Sequence, residues 1–334
     1  SYLVGTHFSE GYKIHLFQMS ADGQRIIGGS DEVFYQSKGS EANKLYKING
    51  MYYHFFSEVK SDGRVVMIRK AKSIKGPYGA PKQIGHAQKQ FNEPNQGGII
   101  NTAGGKCYFL THHGSSGEWS GRNMSLLPVN WVDGWPILGR VGNDTIGNMV
   151  WVDNKPLNTL TRVVPSSSNE FNDSEISTQW EWNYQPRIDK FSLNERKGWL
   201  RLKAFRPLEK NNLLKAGNTI TQRSMRTLRS EAVAKLDISG MTDGQKSGIT
   251  HFGSPTYSSF GVSQKTGERR IELNLKNSIN VGPIIKSNQI WLKSTWGLDG
   301  RSQYFYSTDG ENFIAFGEPY LLRWGSYRGD RIGI

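Results

Sequence analysis

Residues 44–59, KLYKINGMYYHFFSEV, decide the fold. Asn49-Gly50 is a preferred pair for a tight two-residue hairpin turn. Aromatic and β-branched residues, which suit a pleated and half-buried surface, flank it on both sides. Working outward, residues 59–71 (VKSDGRVVMIRKA) add a strand behind Asp62-Gly63, and residues 97–113 (GGIINTAGGKCYFLTHH) repeat the pattern around Gly104-Gly105. Upstream, residues 1–8 (SYLVGTHF) and 12–20 (YKIHLFQMS) read as strands that end at the turn ADGQ, 21–24. Hairpins that follow one another without a helical period form an antiparallel meander, and such meanders are the blades of a β-propeller.

The texture changes at residues 152–173, VDNKPLNTLTRVVPSSSNEFND, which carry two prolines and a serine run but no apolar periodicity. The reading is a propeller portion over 1–152, a linker over 153–168 and a second domain over 169–334. In that second part, short strands such as GWLRLKAF (198–205), SGITHFG (247–253), RRIELNL (269–275) and QIWLKSTW (289–296) recur with turns between them. That spacing predicts a β-sandwich.

Composition agrees. With 334 residues, two domains are expected, and 38 glycines with 12% aromatic residues suit many strands joined by tight turns. No apolar run is long enough to span a bilayer, so no membrane partner is expected. Cys107 stands alone, which excludes an intrachain disulfide and a cysteine-based zinc cluster and leaves the compartment open. The formal charge is +13, yet the basic residues are scattered. The densest group, RKAKSIKG at 69–76, reads as a solvated strand end plus a turn, and no nucleic-acid partner is expected.

Chemistry in such a chain falls to carboxylates near strand ends. Cleaving a glycosidic bond takes one protonated carboxyl to donate to the leaving oxygen and one ionised carboxylate to activate water or attack. Glu41, Glu58, Glu93 and Asp133 lie in the first half, and spacing alone does not choose among them.

Residues 41–59, EANKLYKINGMYYHFFSEV, resemble a segment of glycoside hydrolase family 43 in which a Glu opens a blade ahead of a Tyr-Lys-Ile-Asn-Gly hairpin. The resemblance implies that Glu41 is the general acid. Residues 93–139, running from EPNQGGIINTAGG through GEWSGR to LPVNWVDGWPILG, are similar to the next two blades of that family. There the resemblance implies a sugar-holding arginine at Arg122, a polar site residue at His113 in preference to His112, and substrate-binding amides at Asn95 and Gln96. Trp119 is weighed as a sugar platform against core packing; Trp131, Trp135, Trp180 and Trp182 are read as packing. Residues 178–204 and 218–223 resemble the concanavalin-like sandwich of the family's β-xylosidase branch.

The fold so implied is all-β: a five-bladed β-propeller, incomplete at the N-terminus of this chain, followed by a concanavalin-like β-sandwich whose last strands are expected beyond RGDRIGI (328–334). The implied activity is that of an inverting exo-glycosidase releasing xylose, arabinofuranose or both from xylan-type oligosaccharides. The alternative is a non-catalytic carbohydrate-binding β protein. No cofactor is required, and the one metal considered is a structural calcium, weakened by amides at Asn95-Gln96 where relatives place a histidine. Two departures matter. The usual Glu-Gly-Pro or Glu-Gly-x is Glu41-Ala42-Asn43 here, a tolerable change in a loop whose Glu is kept. More serious, the family's base and pKa-raising aspartates have no counterpart, because Asp22 and Asp31 come too late. The chain is therefore read as part of a longer enzyme, with the missing N-terminal propeller segment as its partner.

Overall fold

A computed structural model describes residues 1–61, 63–87, 94, 96–114, 118–157, 164–210, 212–275 and 278–334. The chain divides into two compact units: Ser1–Ser116 with Arg122–Leu160, and Gly117–Gly121 with Thr161–Ile334. Both are built of antiparallel strands, so the all-β class holds. Among the described residues, no helix is long and apolar enough to cross a membrane.

The first unit begins with β1 (Tyr2–His7), β2 (Lys13–Gln18) and β3 (Glu32–Gln36), paired in that order. A second sheet follows in chain order: β4 (Glu41–Ile48), β5 (Met51–Lys60), β6 (Gly63–Ala71) and β7 (Lys82–Gly85). The third holds β8 (Gly97–Asn101), β9 (Cys107–His113), β10 (Asn123–Val132) and β11 (Trp135–Leu138), and a short pair, β12 (Arg140–Val141) and β13 (Gly147–Asn148), trails it. Each sheet is a meander, the blade arrangement expected of a propeller. The β4–β5 turn forms as its residues dictate: Asn49 and Gly50 both take positive φ, 49° and 80°. Asp133-Gly134 does the same between β10 and β11.

The β4–β7 sheet is buried on both faces, which explains its continuous apolar runs. Tyr53, Phe55, Val66 and Ile68 point to one side and pack with Phe109, Leu127, Val129 and Ile137 of the third sheet. Phe56, Val65 and Met67 point to the other side and pack with Ile14 of the first. Alternation along a strand sends successive side chains to opposite faces, so both parities are apolar where both faces are covered.

One basic residue departs from its sequence reading. Arg69 is not on a solvated strand end: its guanidinium lies 4.3, 4.8 and 4.5 Å from the ring centres of Phe34, Tyr35 and Tyr78. Burial brings its pKa down to about 10, so it remains charged near neutral pH. Three aromatic faces compensate part of the lost hydration. Charged residues cluster in RKAKSIKG by sequence, but β6 directs this one inward.

The second unit contributes β14 (Glu181–Trp182), β15 (Phe191–Ser192), β16 (Arg201–Leu202), β17 (Ile220–Arg223), β18 (Ser230–Asp237), β19 (Lys246–Phe252) and β20 (Tyr257–Lys265). It continues with β21 (Glu268–Leu275), β22 (Ser278–Ile284), β23 (Gln289–Trp296), β24 (Arg301–Ser307), β25 (Ile314–Leu321) and β26 (Arg331–Gly333). Among the described residues one sheet runs β14-β17-β26-β19-β20-β21-β22 and another β18-β23-β24-β25. Ile249, Phe260, Val262, Ile271 and Leu273 of the first sheet meet Ile290, Leu292, Tyr304, Tyr306 and Tyr320 of the second in one core. This is the sandwich. GWLRLKAF supplies only the two-residue β16. The terminal residues RGDRIGI include β26, which sits inside the large sheet between β17 and β19.

Within this unit a buried polar latch holds the end of the chain. Asp330 Oδ1 lies 2.6 Å from His251 Nδ1 and accepts from Ser224 Oγ at 3.0 Å, while His251 Nε2 reaches Ser294 Oγ at 2.9 Å.

Candidate active site

Glu41 is the first residue of β4, and its carboxylate is largely buried, with 17% of the side chain exposed. Arg64 Nη1 reaches Glu41 Oε1 at 3.3 Å, donates to the Gly39 carbonyl at 2.7 Å and to Ser57 Oγ at 3.1 Å. The strand is bulged at this point. Glu41 faces Ser57 and Lys44 faces Phe55, so Ala42 and Asn43 together stand against Phe56. Ala42 takes φ +61°, a region that favours glycine. Bulges re-aim side chains and concentrate beside active sites.

Gln96, His113 and Arg122 come together at one end of the third sheet. Gly97 pairs with Thr111, and Thr111 Oγ1 donates to the Gln96 carbonyl at 2.6 Å. His113, the last residue of β9, pairs with Asn123, the residue after Arg122. The His113 ring is held by Ser125 Oγ at 2.6 Å and lies edge-to-face against Trp151 at 5.3 Å. Asn95 and Glu93 lie outside the described residues.

The two glycines after Gln96 have steric work. A Cβ at Gly97 would lie 2.4 Å from Phe109, and one at Gly98 would lie 2.7 Å from Tyr46 Oη. That hydroxyl accepts from the Ile99 N–H at 3.1 Å, which ties β4 to β8. The first strands of two neighbouring sheets thus lie side by side, and β4 is the strand that carries Glu41.

The other carboxylates of the sequence analysis have local roles. Glu58 pairs with Lys60 at 3.8 Å. Asp133 forms the β10–β11 turn with φ +50°. Asp22 accepts from Ser20 Oγ and from the Gln24 N–H in an exposed turn; these bonds lower its pKa. Asp31 Oδ1 lies 2.6 Å from His15 Nδ1. Trp119 is core rather than a sugar platform: it is buried with Trp296 and Leu322 inside the second unit, and its Nε1 donates to the Leu298 carbonyl at 3.2 Å. Trp131, read as packing, is 41% exposed, with its ring steeply tilted to that of Tyr53 at 5.6 Å. The position at which the resemblance implies calcium falls on Asn95 and Gln96. Among the described residues no three His, Cys, Asp or Glu side chains are grouped as ligands.

Comparison with known proteins decides the family. The description "Glycosyl hydrolases family 43" matches residues 1–136, and "Beta xylosidase C-terminal Concanavalin A-like domain" matches residues 168–334. The chain belongs to glycoside hydrolase family 43. A β-xylosidase of Formosa agariphila is 31% identical over 97% of this family 43 chain and 61% of its own length. The chain spans about three fifths of the curated relatives it matches, 61% and 59% of their lengths. Among solved structures, a bifunctional GH43-CE protein of Bacteroides eggerthii superposes with a TM-score of 0.80 at 24% identity, covering 99% of this chain and 43% of that one. A xylan β-1,4-xylosidase of Bacillus halodurans gives 0.78 at 17% identity, covering 99% and 70%. These likenesses establish a propeller followed by a concanavalin-like sandwich.

Proposed function

We propose that the protein is an inverting exo-glycosidase that releases xylose, arabinofuranose or both from xylan-type oligosaccharides, with Glu41 as the general acid. The observation that carries this reading is the placement of Glu41: a largely buried carboxyl at the bulged head of β4, in a family 43 chain that is similar to a β-xylosidase. Donation of its proton to the departing oxygen lowers the cost of expelling an alkoxide. Arg122 and His113, with the amides Asn95 and Gln96, orient the terminal sugar. Water attacks from the opposite face once activated by a carboxylate roughly 6.5–9.5 Å from the acid, as inversion requires.

The test is Glu41→Gln in the full-length protein, assayed on unactivated xylosides and arabinosides. The amide keeps the shape but carries no transferable proton, and a loss of about 10²–10⁴-fold is expected with sugar binding retained. Carbohydrate binding without turnover is the second reading, favoured by the local engagement of Asp22 and Asp31. Unchanged binding with no pentose released by the unsubstituted protein would select it.

A further inference from the structure

A run of hydrogen bonds crosses the first unit and ends on both sides of Glu41. Arg69 Nε has only a proton to give, and it lies 3.0 Å from His54 Nδ1. His54 therefore accepts at Nδ1 and carries its own proton on Nε2, which lies 3.0 Å from Asn43 Oδ1. With its oxygen so engaged, Asn43 donates through Nδ2 to Thr6 Oγ1 at 2.7 Å, and Thr6 Oγ1 donates to the Ser40 carbonyl at 3.3 Å. Every donor direction follows from the first. Ser40 immediately precedes Glu41, and Asn43 is the second residue after it.

We propose that Asn43, held between His54 and Thr6, is a positioning residue for the general acid: it locks the Ala42-Asn43 bulge and so sets the direction in which Glu41 presents its proton. The bulge needs such a lock. An alanine in the left-handed region costs about 1–2 kcal/mol, and the register of β4 with β5 is interrupted across Ala42 and Asn43. The lock itself is rigid. His54 and Ser40 are fully buried, and Arg69 is caged by three rings while Nη2 donates to the Phe34 carbonyl at 2.7 Å. Burial and the neighbouring Arg69 charge hold the imidazole well below its usual pKa, so it stays neutral and its bonding directions persist through the working range. This ties the Asn of Glu41-Ala42-Asn43 to the reaction, and it rests on Glu41 being the acid.

The experiment reads leaving-group dependence in the full-length enzyme. A poorly placed acid slows departure of an alkyl alcohol, which needs the proton, and spares 2,4-dinitrophenolate, which leaves without it. Asn43→Leu removes the lock at its centre and Thr6→Val removes the hydroxyl that Asn43 donates to, neither with much loss of bulk, and Thr6→Ser retains the hydroxyl. For both lock variants kcat/KM on an alkyl xyloside is expected to fall about 10- to 100-fold, since misplacement by about 1 Å carries that cost, with less than about a 3-fold change on the dinitrophenyl xyloside. Thr6→Ser should restore the alkyl rate. Equal losses on the two substrates, or no loss on either, overturn the proposal; Thr6→Val supplies the answer if Asn43→Leu does not fold. Glu41→Ala in parallel separates the two claims. If it shows the leaving-group signature and the lock variants do not, the positioning claim fails alone; if Glu41→Ala lacks the signature, the acid assignment fails and the proposal with it.

Discussion

Arg64 Nη1 lies 3.3 Å from Glu41 Oε1, and both side chains are largely shielded from water, at 14% and 17% exposure. The same guanidinium holds the Gly39 carbonyl, so one residue of β6 fastens both the proposed acid and the turn that delivers it. Arg64→Met keeps the aliphatic stem and deletes these bonds. The expected loss is about 1.5–3 kcal/mol of stability, the usual worth of hydrogen bonds to a charged group. Urea unfolding of the purified protein measures it. Activity on unactivated xylosides should fall by less than in Glu41→Gln, because the proton donor remains.

His54 makes stability pH-dependent. Its folded pKa is depressed by burial first and by the Arg69 charge second. The unfolded imidazole takes up a proton near pH 6.5, at about the model-peptide value, and the folded one does not. Its contribution is therefore complete above that pH and is lost as the pH falls toward the folded pKa. The slope reaches about 1.4 kcal/mol per pH unit. Unfolding midpoints of the unsubstituted protein and His54→Gln at pH 7.5, 6 and 5, roughly bracketing that value, should converge as the pH drops. A constant gap would refute the assignment.

Gly98 and Tyr46 form a coupled pair. A Cβ at residue 98 would press on Tyr46 Oη at 2.7 Å. Gly98→Ala should cost about 1–3 kcal/mol, the usual penalty for overpacking. Tyr46→Phe removes the oxygen that is struck, so Gly98→Ala should cost less in that background. A double-mutant cycle with no coupling beyond about 0.5 kcal/mol would show that the two do not interact.

Trp119 belongs to the stability of the second unit. Trp119→Ala removes a buried indole from Trp296 and Leu322 and leaves the Leu298 carbonyl without its donor. A loss of about 3–5 kcal/mol is expected, seen as earlier thermal unfolding. If Trp119 were instead a sugar platform, stability would be kept and substrate affinity lost.

Much of this architecture was legible in the residues because its causes are local. Asn49-Gly50 turns where it stands since the pair tolerates two successive positive φ values, a preference settled within two residues. Aromatic and β-branched residues around that turn announced strands, whereas the cover on both faces of Phe55-Phe56 and Val65 to Ile68 came from the neighbouring sheets. Resemblance in residues 41–59 then led to the family and to Glu41. Other features depend on which surfaces meet after the chain has folded, and no local preference encodes them. Arg69 reads as solvated until Phe34, Tyr35 and Tyr78 close around it. Asn43 looks like a tolerated loop change until His54 and Thr6 engage both ends of its amide. Trp119 meets Leu298 across 179 residues of sequence, and β26 finds its place between β17 and β19, strands that precede it by long stretches of chain. The sequence by itself determined the turns and most of the strands, and its resemblance pointed to Glu41 as the proposed acid; tertiary structure alone decided what holds them, because hydrogen-bond partners and buried faces are chosen by proximity in space.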